Sequence, residues 1–313
     1  MRSFALSLAG AAAIAFLATA PAQAEDKFTY MTNWYAQAEH GGFYQAVAQG
    51  IYKKYGLDVT IKMGGPQVNI TQMMAAGQAD CIMGSSDIQM MQVREGGVPV
   101  VNVAAFFQKD PQVLIAHDDV KKFEDLKGKT LLIGAQAQRG YWPWLKAKFG
   151  FTDEQTRPYT FNIQPFVADK NTAQQGYLTS EPFAIQKAGV KSTVLMFSDH
   201  GFPAYATAVS CMEKTLKDRN KQRAAFVKAW RGSGYARFEN MTDEQLAYSV
   251  AKLKEMGMIT GGDAAKLGIG VMTDARAKAS YDFLVASKLL DPAKVELAKT
   301  YSTEFVKDAK VLP

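Results

Sequence analysis

The chain has 313 residues, 48% of them hydrophobic and 21% charged, with a formal net charge of +6. That length can bury one large core or two smaller lobes. Lysines and acids are interspersed rather than blocked, which describes a solvated surface and excludes a nucleic-acid-binding stripe.

Met1-Arg2 gives a short positive start. An apolar stretch runs from Phe4 to Ala20, and Pro21-Ala22-Gln23-Ala24 offers small residues at an A-x-A site. This order predicts a secretory signal peptide over 1–24, cut after Ala24. An uncleaved anchor fits less well, because the stretch is rich in Ala and ends in a processing site. No cysteine precedes Cys81 to carry a lipid, and no later apolar run is long enough to span a bilayer. The mature chain is therefore expected to be soluble, with no membrane anchor. Cys81 and Cys211 face an oxidising compartment, so a disulfide is open to them, but both lie in apolar, strand-like context, where a buried free thiol is the commoner state and the one expected.

Phe28–Thr32 reads as a strand. Phe43, Ala46, Val47, Gly50 and Ile51 recur at helical spacing, and Gly56 stands past the helix end. Leu57–Ile61 alternates as a strand. Ile70, Met73, Met74 and Gly77 share one helical face. A strand over Asp80–Met83 then leads through Gly84-Ser85-Ser86-Asp87 into a helix over Ile88–Arg94, and Val98–Phe107 is strongly β. The middle repeats this order: strands at Val113–Ala116, Thr130–Ile133 and Thr193–Phe197, with helices at Tyr141–Phe149 and Pro182–Ala188. Tyr205–Ser210 reads as the last strand. From Asp218 the chain is mostly helical, including Arg223–Phe238 and Asp243–Met256, with Trp230 expected in the core. Alternating strands and helices predict an α/β fold, and the helical tail favours two lobes over one continuous sheet.

The three histidines (His40, His117, His200) lack metal-ligand spacing, and no P-loop, G-x-S-x-G or G-x-G-x-x-G pattern follows a strand. No metal or cofactor is expected. Aromatics carry more information. Asn33-Trp34-Tyr35 ends the first strand, and Tyr141-Trp142-Pro143-Trp144 follows Gly134-Ala135-Gln136. Open α/β sheets collect ligands outside the carboxyl ends of their strands, so these rings would present flat faces to a planar ligand.

The ordered pieces resemble a known family. They are Asn33-Trp34, His40-Gly41-Gly42-Phe43-Tyr44, Gly50-Ile51-Tyr52, Tyr55-Gly56-Leu57-Asp58-Val59, Gly77-Gln78-Ala79-Asp80, Leu126-Lys127-Gly128-Lys129, Ser180-Glu181-Pro182-Phe183 and Phe226-Val227-Lys228-Ala229-Trp230. Together they resemble type 2 periplasmic solute-binding proteins of ABC transporters, in the nitrate/sulfonate/taurine cluster. The nearest branch is similar to the thiamine pyrimidine-precursor synthase family. The resemblance implies two lobes, 25–112 with 206–313 and 113–205, joined by two hinge crossings near Gln112–Ala116 and Tyr205–Cys211, with a ligand cleft between them. It implies a monomer in the periplasm that captures a small solute for an ABC transporter permease. By position, it assigns ligand contacts to Asn33, Trp34, His40, Ser85, Ser86 and Glu181, and to the stretch Gln136–Tyr141 that contains Arg139.

Synthases of that branch carry a lysine and a histidine on the helix after the Gly84 position, together with a cysteine-rich iron-binding run. The helix Ser86–Val93 has neither residue and the cysteines form no cluster, so no enzymatic activity is expected. Trp34, Tyr35, Trp142 and Trp144, with Glu181, favour a planar, pyrimidine-like nitrogen heterocycle. The alternative is a sulfonate, taurine or nitrate-type anion held by Ser85, Ser86 and Arg139. A sensing subunit of a membrane receptor would use the same fold.

Overall fold

The computed structural model describes residues 25–218, 220–231, 241–307 and 311. The expected signal peptide lies outside the described residues, as do the Trp230 side chain and the end of the expected Arg223–Phe238 helix. That helix is seen over Asn220–Arg231.

The strands are β1 (Asp26–Met31), β2 (Leu57–Lys62), β3 (Cys81–Ser86), β4 (Val100–Phe107), β5 (Gln112–His117), β6 (Thr130–Ile133), β7 (Thr156–Pro158), β8 (Thr172–Tyr177), β9 (Ser192–Met196) and β10 (Ala206–Met212). They form two five-stranded sheets, ordered β2-β1-β3-β10-β4 and β7-β6-β8-β5-β9. In the first, β1 pairs in parallel with β2 and β3, while β10 runs antiparallel to β3 and β4. In the second, β6 runs parallel to β7 and β8, and β5 antiparallel to β8 and β9. The mixed α/β architecture matches the expectation.

Burial patterns explain the strand positions. Edge strand β2 alternates buried and exposed residues at its start, because one face meets solvent. Strands β4 and β5 are buried at every residue, consistent with apolar runs covered on both faces. The helix after β1 runs over Gly41–Ala48 and restarts at Ile51–Lys54; Gly50, at φ +64°, makes the break.

The chain leaves the first sheet after Phe107, enters the second at Gln112, and returns from Met196 to Ala206. The passages are thus 108–111 and 197–205. The segments Gln112–Ala116 and Tyr205–Cys211 lie almost wholly within strands, so each crossing precedes its expected position. Asp110 braces the first passage: its carboxylate accepts from the Gln112 backbone N–H and side-chain amide, both at 2.9 Å. In the second, the Tyr205 ring lies 3.8 Å from the Arg276 guanidinium carbon, a cation–π contact. Helix Asp274–Ala286 adds Leu284 to a cluster with Trp144, Phe197 and Phe202.

Two expectations are corrected here. Cys81 and Cys211 form a disulfide, not free thiols. They are 130 residues apart in sequence, but the antiparallel register sets Cys211 opposite Cys81, with Cα atoms 4.3 Å apart. Strands β7 and β8 were also not foreseen. Thr-Ala-Gln-Gln-Gly-Tyr lacks an apolar strand pattern, yet β8 sits between β5 and β6. Gly176 is required there, because a Cβ would come within 2.7 Å of Ile115 Cδ1 and 3.2 Å of Glu181 Cβ.

Candidate functional site

The carboxyl ends of β1 and β3 meet the residues that follow β6 and β8 around a partly open cavity lined by both polar and aromatic side chains. A hydrogen-bonded seam joins the two sides. Asn33 Nδ2 donates to Ser85 Oγ (3.3 Å), Ser85 Oγ donates to Gln136 Oε1 (2.9 Å), and Gln136 Nε2 donates to the Asn33 carbonyl (2.6 Å). Ser86 Oγ caps helix Asp87–Glu95 by accepting from Gln89 N at 3.0 Å. That fixes Gln89, whose Nε2 reaches the Gln136 carbonyl (2.9 Å) and whose Oε1 accepts from Ser85 N (2.9 Å). Both serine hydroxyls therefore already serve the seam and the cap.

Glu181 opens helix Glu181–Lys187 and is buried. Its Oε1 accepts from Tyr159 Oη at 2.8 Å and its Oε2 from Tyr177 N at 2.9 Å. Burial raises its pKa, and these two hydrogen bonds offset part of that rise. Glu39, in the helical turn Ala38–His40, is a second buried carboxyl on the cavity wall. Burial pushes it up to about 7, and the nearby Glu181 adds to the rise. Burial lowers neighbouring His40 to about 4, so its imidazole is neutral near pH 7.

Trp34 is half-buried at the cavity, its ring stacked on Tyr159 with centroids 6.0 Å apart and planes 13° apart. Tyr141 lines the opposite side, its hydroxyl donating to Gln175 Oε1 at 2.8 Å. The structure thus brings Asn33, Trp34, His40, Ser85, Ser86, Gln136, Tyr141 and Glu181 to one cavity.

Three expected contacts lie elsewhere. Trp142 is wholly buried and its ring N–H donates to Asp153 Oδ1 at 2.7 Å, because one step along a helix turns its side chain about 100° from Tyr141. Tyr35 is 38% exposed and packs against Phe161 outside the cavity. Arg139 lines a neighbouring groove with Val68, Ile70 and Val98, and its guanidinium lies beside Gly96. Among the described residues, no Lys or Arg lines the cavity. Sequence reasoning missed Gln37, Glu39, Gln89, Gln175 and Tyr177. For Glu39 the sequence holds no signal that separates it from a solvated acid at a helix start.

Two mixed sheets linked by two chain passages, with a cavity between them, define the periplasmic-binding-protein fold, and solved structures share it. A ligand binding component of an ABC-type import system from Staphylococcus aureus has a TM-score of 0.64 at 12% identity, covering 91% of this chain and 99% of that one. The alkanesulfonate-binding protein SsuA from Xanthomonas axonopodis pv. citri, bound to MOPS, gives 0.58 at 13% identity, covering 90% and 98%. More particularly, the chain belongs to the NMT1/THI5 like family, whose model matches residues 37–240.

The 4-amino-5-hydroxymethyl-2-methylpyrimidine phosphate synthase of Aspergillus parasiticus is 26% identical over 110 residues, 34% of this chain and 32% of that relative. The match thus spans about a third of the relative's length. It corrects one expectation. The absence of a lysine, a histidine and a cysteine cluster was taken to exclude enzymatic activity, yet curated relatives bear the name of an enzyme. Missing residues at one helix do not exclude chemistry carried elsewhere in the fold.

Proposed function

We propose that the chain is the substrate-binding component of an ABC importer and captures a small planar, pyrimidine-like solute in the periplasm. The observation that carries this reading is the cavity lining: Trp34 and Tyr141 supply aromatic faces, while Glu181 and Asn33 supply acceptors for ring N–H groups. An anion such as a sulfonate or nitrate would meet carboxyls, a neutral His40 and no Lys or Arg there, since Arg139 stands in the next groove. The lobes would be 25–112 with 206–313 and 113–205, closing by a hinge at the two passages. A permease would read the closed form of a monomer released from its signal peptide.

Calorimetry tests the reading with 4-amino-5-hydroxymethyl-2-methylpyrimidine, taurine and nitrate. Binding of the pyrimidine, weakened in Trp34→Ala, supports it. Binding of taurine or nitrate alone overturns it. The curated relatives make a second reading concrete, pyrimidine chemistry at the same cavity, and its test is the appearance of a pyrimidine product in purified protein.

A further inference from the structure

We infer that this cavity selects an organic cation, a planar solute with a net positive charge and N–H groups along one edge, through Glu39 acting as a second carboxyl beside Glu181. The inference rests on the reading that the cavity is the binding site, and it names the charge class of the solute.

Several donors around the cavity are already engaged. Gln37 Nε2 donates to Ser180 Oγ (3.2 Å), Gln89 and Gln136 bond each other's surroundings across the seam, and the hydroxyls of Tyr141 and Tyr159 go to Gln175 and Glu181. Asn33 Oδ1 and Glu39 Oε2 are buried acceptors without a hydrogen-bond partner, and the nearby Tyr177 and Thr179 hydroxyls and His40 Nδ1 are likewise unpartnered. Native proteins satisfy buried polar atoms in most cases, so two open acceptors on one cavity wall point to a donor brought by the solute. A neutral solute can satisfy Glu181 alone and leaves Glu39 either protonated or buried as an unpaired charge, which is costly. A cation offsets both carboxylates together and needs no Lys or Arg from the protein, of which the described lining has none.

The groups around Glu39 agree. Glu181 and the Tyr177 phenol interact with it electrostatically, the Thr179 hydroxyl is close by, and the adjacent His40 is neutral near pH 7. Helix Asp243–Glu255, packed against the turn, directs Ser249 and Leu253 inward and pairs Lys252 with Glu255. Glu39 holds a proton in the empty site up to about pH 7, and an arriving cation displaces it.

The test uses three planar probes of one size: benzamidine (a cation), benzamide (neutral) and benzoate (an anion), titrated into the purified protein at pH 8. Benzamidine is expected to bind at least tenfold more tightly than benzamide, with benzoate weakest. Glu39→Gln should remove most of that preference and leave benzamide within about twofold. A second measurement does not depend on the variant: benzamidine keeps its charge, so its affinity for the natural protein should fall about tenfold from pH 8 to pH 6 as Glu39 regains its proton. If benzamide binds as tightly as benzamidine, charge selection is overturned while the binding site stands. If no ring compound binds and taurine or nitrate does, the inference and the site reading fall together.

Discussion

Trp34 and Tyr159 stack across the junction of the two sheets. Trp34 follows the end of β1 and Tyr159 follows β7, so the pair links one side of the cavity to the other. Tyr159 is simultaneously tied to Glu181 through its hydroxyl, which couples the aromatic pair to the buried carboxylate. On the proposed reading, a solute that contacted either ring would act on both lobes.

Trp34→Ala should therefore weaken solute binding by tenfold or more while leaving the fold intact. Loss of an aromatic stack and its buried area is worth about 1.5–3 kcal/mol. Trp34 is only half-buried, so the melting temperature should change little. Calorimetry with 4-amino-5-hydroxymethyl-2-methylpyrimidine, beside a circular-dichroism melt, separates the effects. A collapsed melt would make Trp34 a core residue.

Glu181→Gln keeps the shape of the side chain and removes its charge. Tyr159 Oη can still donate to the amide oxygen, whereas Tyr177 N would face an NH₂ donor. The variant should bind the pyrimidine more weakly by about 1.5–3 kcal/mol, the range for hydrogen bonds to charged groups. Unchanged affinity would place the pyrimidine away from this carboxylate.

The Cys81–Cys211 disulfide closes a loop across 130 residues that includes the whole second sheet. Constraining so long a loop limits the unfolded chain, and disulfides of this kind are worth about 2–4 kcal/mol. Urea unfolding of Cys81→Ala/Cys211→Ala should show that loss. Reductant should reproduce it in the natural protein and leave the double variant unaffected.

That bond also marks where the sequence was and was not informative. Strands β2, β4, β5 and β6 announce themselves through Val, Ile and Leu, and β1 through Phe28 and Tyr30 alternating with polar residues. Strand β8 does not, because its Gln174-Gln175-Gly176 run serves the cavity side of the fold and breaks the apolar pattern. Gly176 is there for space, a requirement set by Ile115 and Glu181 from elsewhere in the chain. Asn33, Trp34 and Glu181 were legible because each stands at a strand end or helix start within a recognisable run. Tyr141 and Trp142 were not distinguishable, since a 100° turn per residue decides which faces the cavity and the helix's rotation is set by packing. Glu39 went unseen because an acid before a helix ordinarily reads as a solvated one. Only tertiary structure shows it buried beside Glu181.

Burial of Glu39 sets a pH dependence whose sign is opposite to that of ordinary ion-paired carboxylates. Its folded-state pKa of about 7 lies above the usual 4.5, and Asp110 and Asp87 are likewise raised by burial, to about 7 and about 6 from 3.8. In the folded chain these groups hold protons that the unfolded chain has released, so their contribution is complete below about pH 4 and is lost as pH rises to about 7. The exposed Asp119, held low by Lys129, and Asp153, held low by the Trp142 ring N–H and Lys146, act only at the acid end, while His40, lowered to about 4 by burial, costs stability below about pH 6.5 and opposes the three carboxyls as a single group. The empty protein should therefore melt at a higher temperature at pH 5 than at pH 8. Glu39→Gln removes one titrating group without changing shape. Its advantage over the natural protein should be small at pH 5 and grow by about 2–3 kcal/mol by pH 8, several degrees in melting temperature. A residue kept at a stability cost is the mark of a functional site. If Glu39→Gln lowers the melting temperature equally at both pH values, the carboxyl is holding the turn Ala38–His40 together instead.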